Sequence, residues 1–271
     1  MMKDITLGQY FPGNSLLHRL DPHMKLVLTL FFIVLVFLPR NWWGLLTVGL
    51  FLLLVICLSR LPLRLMWRST KPVLFLVLFT SILNVLYVHE GTVLVHWGFL
   101  RITTGGLQSA AFIAIRILCL ILGSSLLTYT TTPTALTDAI ERLLSPLKVI
   151  KVNPHELAMM MTIALRFIPT LMEATDKIMS AQKARGADME SGGLVQRVKA
   201  LIPILIPLFV SSFRRAYDLA MAMECRCYQG GEGRTRMKQL RTALRDWLSL
   251  TVYAAVGVGI VLLNIYFGKV L

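Results

Sequence analysis

From Trp42 to Ser59 the chain carries no charged side chain. A helix crossing a hydrocarbon core about 30 Å thick needs about 20 predominantly apolar residues, so such a run has few other places to go. It is not alone. An earlier run opens at Asp21, a good helix N-cap, with Pro22 at the first helical position. It continues through Met24-Lys25-Leu26 to Leu38 and stops at Pro39, reaching roughly 25 Å at 1.5 Å per residue. Further apolar runs occupy 72–88, 105–129 and 247–267. The second run opens on Trp42 and Trp43, a pair suited to a membrane interface. The fold class expected is all-α: a polytopic membrane protein with about five transmembrane helices.

Composition agrees. Of 271 residues, 56% are apolar and 15% charged, against roughly 45–50% and about 25% in ordinary soluble domains. Disorder is excluded by the apolar fraction, and a freely soluble enzyme is disfavoured. Lys and Arg number 28 against 14 Asp and Glu, a net charge of +14. In a chain this apolar, that excess points to a lipid bilayer with anionic headgroups, and no nucleic-acid partner is expected.

Orientation follows from basic residues in the short connections. Only Arg40 lies between the first and second runs and only Arg101 between the third and fourth, whereas Arg60, Arg64, Arg68 and Lys71 lie between the second and third. The N-terminus is therefore expected in the cytoplasm and the C-terminus outside, with no secretory signal peptide. Three regions result: 1–131, a leader with four spans; 132–245, a cytoplasmic or interfacial domain; and 246–271, the last span. Within the middle region, the apolar segments 157–165 and 201–213 are too short to cross, being cut by Arg166 and Pro169 and by Pro203 and Pro207. They read as amphipathic helices at or under the membrane.

Chemistry is sparse. There is no G-x-x-x-x-G-K-[ST] phosphate loop, and Gly230-Gly231-Glu232-Gly233 lacks its lysine and reads as a helix stop. Histidines 18, 23, 89, 96 and 155 are scattered, so no catalytic residue and no metal site is expected. Cys225 and Cys227 lack further ligands nearby, and neither they nor Cys57 and Cys119 are positioned for an extracytoplasmic disulfide. Arg116 is the one strong charge well inside a span. Either it lines an ion or substrate path, or it is structural and pairs with carbonyls or another helix.

The informative signal is a weak duplication. Ser180-Ala181-Gln182-Lys183-Ala184-Arg185-Gly186 and Met221-Ala222-Met223-Glu224-Cys225-Arg226-Cys227 each set one Arg between two small residues at the end of a helical pattern. Small flanks let a partner approach closely, and an Arg reaches into a groove to bond carboxylates bidentately. Two such tips imply two similar grooves. The alternative is that each Arg complements its helix dipole.

These segments resemble the transmembrane T component, EcfT, of energy-coupling factor (ECF) transporters, which are vitamin and metal importers of the ABC class. The leader Phe11-Pro12-Gly13-Asn14-Ser15-Leu16-Leu17-His18-Arg19-Leu20-Asp21-Pro22-His23-Met24-Lys25-Leu26 is similar to that family's Pro-Gly-x-Ser turn and His-Arg-Leu-Asp-Pro-x-x-Lys. Ala184-Arg185-Gly186 and Cys225-Arg226-Cys227 match its two small-Arg-small motifs, the second followed by Tyr228 and a Gly-rich run to Thr235. Cys225 stands where Ala or another small residue is usual, and cysteine is small enough for docking to survive. The resemblance covers essentially the whole chain.

The resemblance implies that Arg185 and Arg226 dock on two ABC ATPase subunits of the EcfA and EcfA′ type. It also implies that the coupling helices pass ATP-driven motion to a small membrane substrate-binding S component, which topples to release its vitamin. ATP and Mg²⁺ would be bound by the ATPases and no cofactor by this chain. Met159, Met160 and Met161, with Leu205, Leu208 and Phe209, are candidates for an apolar face holding exchangeable S components, methionine being adaptable; packing at irregular helix crossings is the alternative. The rival function is a self-contained secondary transporter or channel.

Overall fold

A computed structural model describes residues 10–88, 92–97, 100–146, 153–187, 193–230 and 243–267. Two compact units divide the chain: a bundle formed by Gly8–Ala139 with Gln239–Leu271, and a second unit formed by Ile140–Lys238 with Met1–Leu7.

In the bundle, α1 (Pro22–Phe37) starts as its sequence announces, Asp21 accepting the His23 N–H at 3.0 Å ahead of Pro22. Asn41 caps α2 (Trp42–Ser59) by accepting the Gly44 N–H at 2.8 Å. α3 (Leu63–Tyr87) begins nine residues before the expected third run, so Arg64, Arg68 and Lys71 ride on its first turns and not on a loop. Pro72 sits inside α3. Its cost is one missing N–H and a crowded carbonyl, which the long apolar stretch that follows outweighs.

Between α3 and α4 the chain makes an antiparallel hairpin, β1 (Val93–Trp97) and β2 (Leu100–Thr103), pairing Val93 with Thr103 and Trp97 with Leu100. No strand was expected there. The hairpin is a minor addition to an otherwise helical fold. Thr103 closes it: its hydroxyl donates to the Val88 carbonyl at 2.9 Å and accepts the Gly106 N–H, capping α4 (Thr104–Thr130). α8 (Leu244–Tyr266) completes the bundle.

Hydrogen bonds fix the helix directions. Lys25 on the first turn of α1 donates to the Thr130 carbonyl at the end of α4 at 2.9 Å, so these helices are antiparallel. Asp246 on the first turn of α8 accepts the Asp21 N–H at 3.1 Å, and Asn264 near its end donates to the Leu38 carbonyl at 2.9 Å. α1 and α8 therefore run parallel, and α4 ends where α1 and α8 begin. The core between them includes Phe32, Leu35, Val36, Val48, Leu52, Tyr129 and Ile260. At Gly123 the helices α1 and α4 approach so closely that a Cβ would run into the Phe32 ring.

α5 (Pro133–Leu144) leads the chain from the bundle into the second unit. There, α6 (Pro154–Ala184) and α7 (Leu194–Glu224) pack against each other. His155 Nδ1 lies 3.1 Å from Glu141 Oε1, tying the start of α6 to the end of α5. Each of the two long helices has 31 residues, about 46 Å at 1.5 Å per residue. These helices are not cut where the sequence predicts. Pro169, Pro203 and Pro207 lie inside unbroken helices, as does Arg166. Each proline removes one ladder bond, a local cost that the packing of α6 on α7 outweighs.

By length and composition, α2, α3, α4, α6, α7 and α8 are each apolar and long enough to cross a membrane, while α1 is a shorter apolar helix.

Candidate functional site

The two arginines singled out by the duplication occupy equivalent positions. α6 ends at Ala184, Arg185 follows at φ −83° and ψ 4°, and Gly186 turns left-handed at φ +85°. The Ala187 N–H donates to the Gln182 carbonyl at 3.0 Å and the Gly186 N–H to the Lys183 carbonyl at 3.0 Å. This six-to-one plus five-to-two pair is a Schellman cap.

At the end of α7 the pattern repeats residue for residue. Cys225 keeps helical angles, and Cys227 turns left-handed at φ +56° after Arg226. The Tyr228 N–H donates to the Met223 carbonyl at 3.1 Å and the Cys227 N–H to the Glu224 carbonyl at 2.8 Å. Ala184 thus corresponds to Cys225, Arg185 to Arg226, and Gly186 to Cys227. Glycine adopts the left-handed turn at no steric cost, whereas a residue with a Cβ pays about 1–2 kcal/mol. Two dissimilar sequences are held to one backbone shape, one of them against its preference.

All six tip residues are exposed, and neither guanidinium has a hydrogen-bond or ion-pair partner among the described residues. A cation there meets the negative end of the helix dipole. The tip therefore presents an exposed five-donor fork, with narrow shoulders, suited to a carboxylate. The Gly-rich stretch beyond Gly230 lies outside the described residues.

The apolar candidates distribute over both long helices. On α6, Met160 and Met161 are exposed and Met159 is half-buried; on α7, Leu205 and Phe209 are exposed and Leu208 is half-buried. Exposed Val198, Ile202, Leu205, Phe209, Phe213 and Tyr217 recur every three or four residues along α7, and exposed Leu201, Ile206 and Val210 flank them, widening this apolar stripe. Ile204, off the stripe, is buried.

Arg116 has the geometry of the structural alternative. Its Nη2 donates to the Pro39 carbonyl at 2.7 Å, and its guanidinium lies 4.8 Å from the Phe112 ring and 5.8 Å from the Phe37 ring. It clasps the end of α1 from α4, with aromatic faces replacing water around the charge.

Sequence reasoning missed the polar ties within the bundle. Lys25, 7% exposed, donates to the His18 and Thr130 carbonyls; Asp246, 1% exposed, binds the Asp21 and Ala243 N–H groups. Asn41 donates to the Leu263 and Phe267 carbonyls, opposite Asn264. The available signal was polar side chains at the edges of apolar runs, where their partners must be internal.

Together these features define a class: an all-α, multi-pass membrane protein with two exposed, matched helix tips. Comparison with known proteins narrows it. A family model described as CbiQ, cobalt transport protein, matches residues 13–237. The chain is 56% identical over 248 residues to the energy-coupling factor transporter transmembrane protein EcfT of Ruminiclostridium cellulolyticum, covering 92% of each. It is 52% identical over 271 residues to the EcfT of Clostridium kluyveri, covering 99% of this chain and 100% of the relative. With the Bacillus subtilis EcfT it shares 50% over 258 residues, 94% and 97% of the two chains. The chain belongs to this family, and is a membrane component of an energy-coupling factor transporter.

Proposed function

We propose that the chain is the scaffold and coupling subunit of an ECF-type ABC importer for vitamins or other micronutrients. Arg185 and Arg226 each enter an acidic groove on one of two ABC ATPase subunits, of the EcfA and EcfA′ type, which bind ATP and Mg²⁺. α6 and α7 carry the ATPases' closing and opening to a small membrane S component that holds the cargo. The observation behind this reading is the identity of the two Schellman-capped tips, Gly186 and Cys227 included. A dipole-complementing Arg needs no left-handed turn after it and no matching copy. Two matched tips suit two homologous partners.

The helix directions support the orientation. The end of the bundle where α1 and α8 start carries Arg19, Lys25, Arg60, Arg64, Arg68, Lys71 and Arg245, and the opposite end carries Arg40 and Arg101; the basic end belongs in the cytoplasm. Because α4 ends and α8 begins at that same end, the stretch between them crosses the bilayer an even number of times. α6 and α7 therefore cross together or not at all. Charges such as Arg166, Lys177, Arg214 and Arg215 along them suit the second arrangement, with the coupling region cytoplasmic and interfacial. The C-terminus then lies outside. The apolar stripe with Leu205 and Phe209, Leu208 beside it, and the methionines Met159, Met160 and Met161 form the surface for exchangeable S components.

Purification in mild detergent tests the assembly: two ATPase chains and a small membrane protein co-elute with this chain. The pair Arg185→Glu and Arg226→Glu abolishes ATPase capture and ATP-driven uptake. Wild-type capture and transport by that double variant overturn the docking role.

A further inference from the structure

At the basic end of the bundle two pockets adjoin. One, of about 360 Å³, opens among α1, α2, α4 and α8 and is walled chiefly by aliphatic side chains such as Leu28, Leu52, Val55, Leu126 and Leu248. The other, of about 490 Å³, holds Arg19 and Arg60 together with Asn14. Leu16, Leu54 and Leu58 line both, so the two share a wall. Among the described residues no carboxylate lines either pocket.

The arrangement separates an apolar slot from a dicationic cleft. Arg19 and Arg60 are exposed and have no side-chain partner among the described residues. Arg60 is held left-handed at φ +52°, capping α2 with its N–H on the Cys57 carbonyl. That conformation is unfavourable for a residue with a Cβ and is tolerated where surroundings impose it. Lys25, which also lines the slot, is committed elsewhere, donating to the His18 and Thr130 carbonyls. Arg245 adds a further cation to the slot's wall on the first turn of α8.

Depth decides the ligand. Arg19 precedes the start of α1 and Arg60 follows the end of α2, so both stand at the level where spans leave the hydrocarbon. The slot runs inward from there past Lys25 to Phe32, about 10 Å along α1 at 1.5 Å per residue. Guanidinium forks match phosphate bidentately, and an aliphatic slot of this volume suits a hydrocarbon chain. We propose that the paired pockets bind one anionic phospholipid of the adjacent leaflet, its phosphate between Arg19 and Arg60 and one acyl chain in the slot.

The test is native mass spectrometry of the full chain, in the complex with which it co-purifies, titrated with phosphatidylglycerol and with phosphatidylcholine of the same chain length. One phosphatidylglycerol is retained at least about tenfold more tightly than phosphatidylcholine, which carries the same phosphate but adds a choline cation that Arg19, Arg60 and Arg245 repel. Arg19→Gln with Arg60→Gln erases that preference. Val55→Trp, which fills the slot, removes retention with both arginines intact, and Arg40→Gln at the opposite end changes nothing. Should Val55→Trp not fold, the exposed arginine variants carry the test alone. Equal retention of the two lipids by the wild type, a preference that survives the double arginine variant, or displacement of the lipid by equimolar inorganic phosphate or palmitate overturns the proposal.

Discussion

Asp246 and Asn264 grip α1 at its two ends from the same helix. The Asp246 carboxylate accepts the Asp21 N–H at 3.1 Å and the Ala243 N–H at 2.7 Å. Asn264 accepts the Arg40 N–H at 3.1 Å and donates to the Leu38 carbonyl at 2.9 Å. The two lie about 27 Å apart along α8 at 1.5 Å per residue, which matches the span of α1 between its bonds. α8 thereby sets the depth and direction of the short first helix, and brings both chain ends of the bundle into register.

Removing either grip therefore loosens the bundle. Asp246→Ala strips two backbone donors of a buried charged acceptor and lowers stability by about 2–4 kcal/mol. Asp246→Asn, which keeps one acceptor oxygen, costs about half of that. Asn264→Leu costs about 1–2 kcal/mol. Sites this far apart add, so the double variant loses the sum. Thermal unfolding of the purified chain in detergent measures all four; an Asp246→Ala protein that melts with the wild type removes the grip.

Cys227 offers a substitution of opposite sign. It occupies the left-handed position that Gly186 takes at the other tip. Cys227→Gly relieves an unfavourable backbone and raises protection of the Tyr228 and Cys227 amides against hydrogen exchange, by about 1 kcal/mol at most since the glycine gains unfolded-state freedom. Gly186→Ala does the reverse: nothing lies within 4 Å of the added Cβ, yet φ is +85°, so strain alone costs about 1–2 kcal/mol. Faster exchange at Ala187 in Gly186→Ala, with α6 otherwise protected, is the expected signature. Unchanged exchange in both variants removes the shared cap.

Much of this was legible in sequence. Asp21-Pro22, the charge-free stretch from Trp42 and the paired small-Arg-small motifs led to α1, α2 and the two tips, because capping chemistry and apolar length are local properties. Pro169, Pro203 and Pro207 misled for the complementary reason. Proline's penalty is local, but the packing of α6 on α7 that absorbs it is not. The β1–β2 hairpin was hidden in a short connection between strongly apolar runs. Lys25, Asp246, Asn41 and Asn264 were invisible as a network because their partners are backbone groups as much as 226 residues away.

Arg116 separates a structural from a transport role. Its bond to the Pro39 carbonyl and its position over Phe112 and Phe37 bind α4 to the end of α1. Arg116→Lys keeps the charge but loses the planar stack and the fixed geometry of the bond. The expected loss is about 1–2 kcal/mol of stability, taking the bond and the cation–π contacts together. Uptake per folded complex stays near wild type. Arg116→Leu loses a similar amount and also retains uptake. A folded Arg116→Lys protein with uptake reduced tenfold would assign the guanidinium to the transport path.

The two tips make an energetic prediction that a single composite site does not. Arg185 and Arg226 end different helices, each with its own cap and neither bonded to the other. If each fork enters a separate groove, their losses are independent. Arg185→Lys and Arg226→Lys each retain a positive charge while giving up bidentate geometry, and each weakens ATPase capture by about tenfold, near 1.4 kcal/mol. The double lysine variant then weakens it about a hundredfold, since uncoupled sites add. Glutamine variants lose the charge as well, so raising salt weakens capture by the lysine variants more steeply than by the glutamine variants. Affinity of the ATPase pair for the detergent-purified chain gives all of these values. A double variant no weaker than either single one would mean that both arginines serve one contact, and the two-groove arrangement would fall.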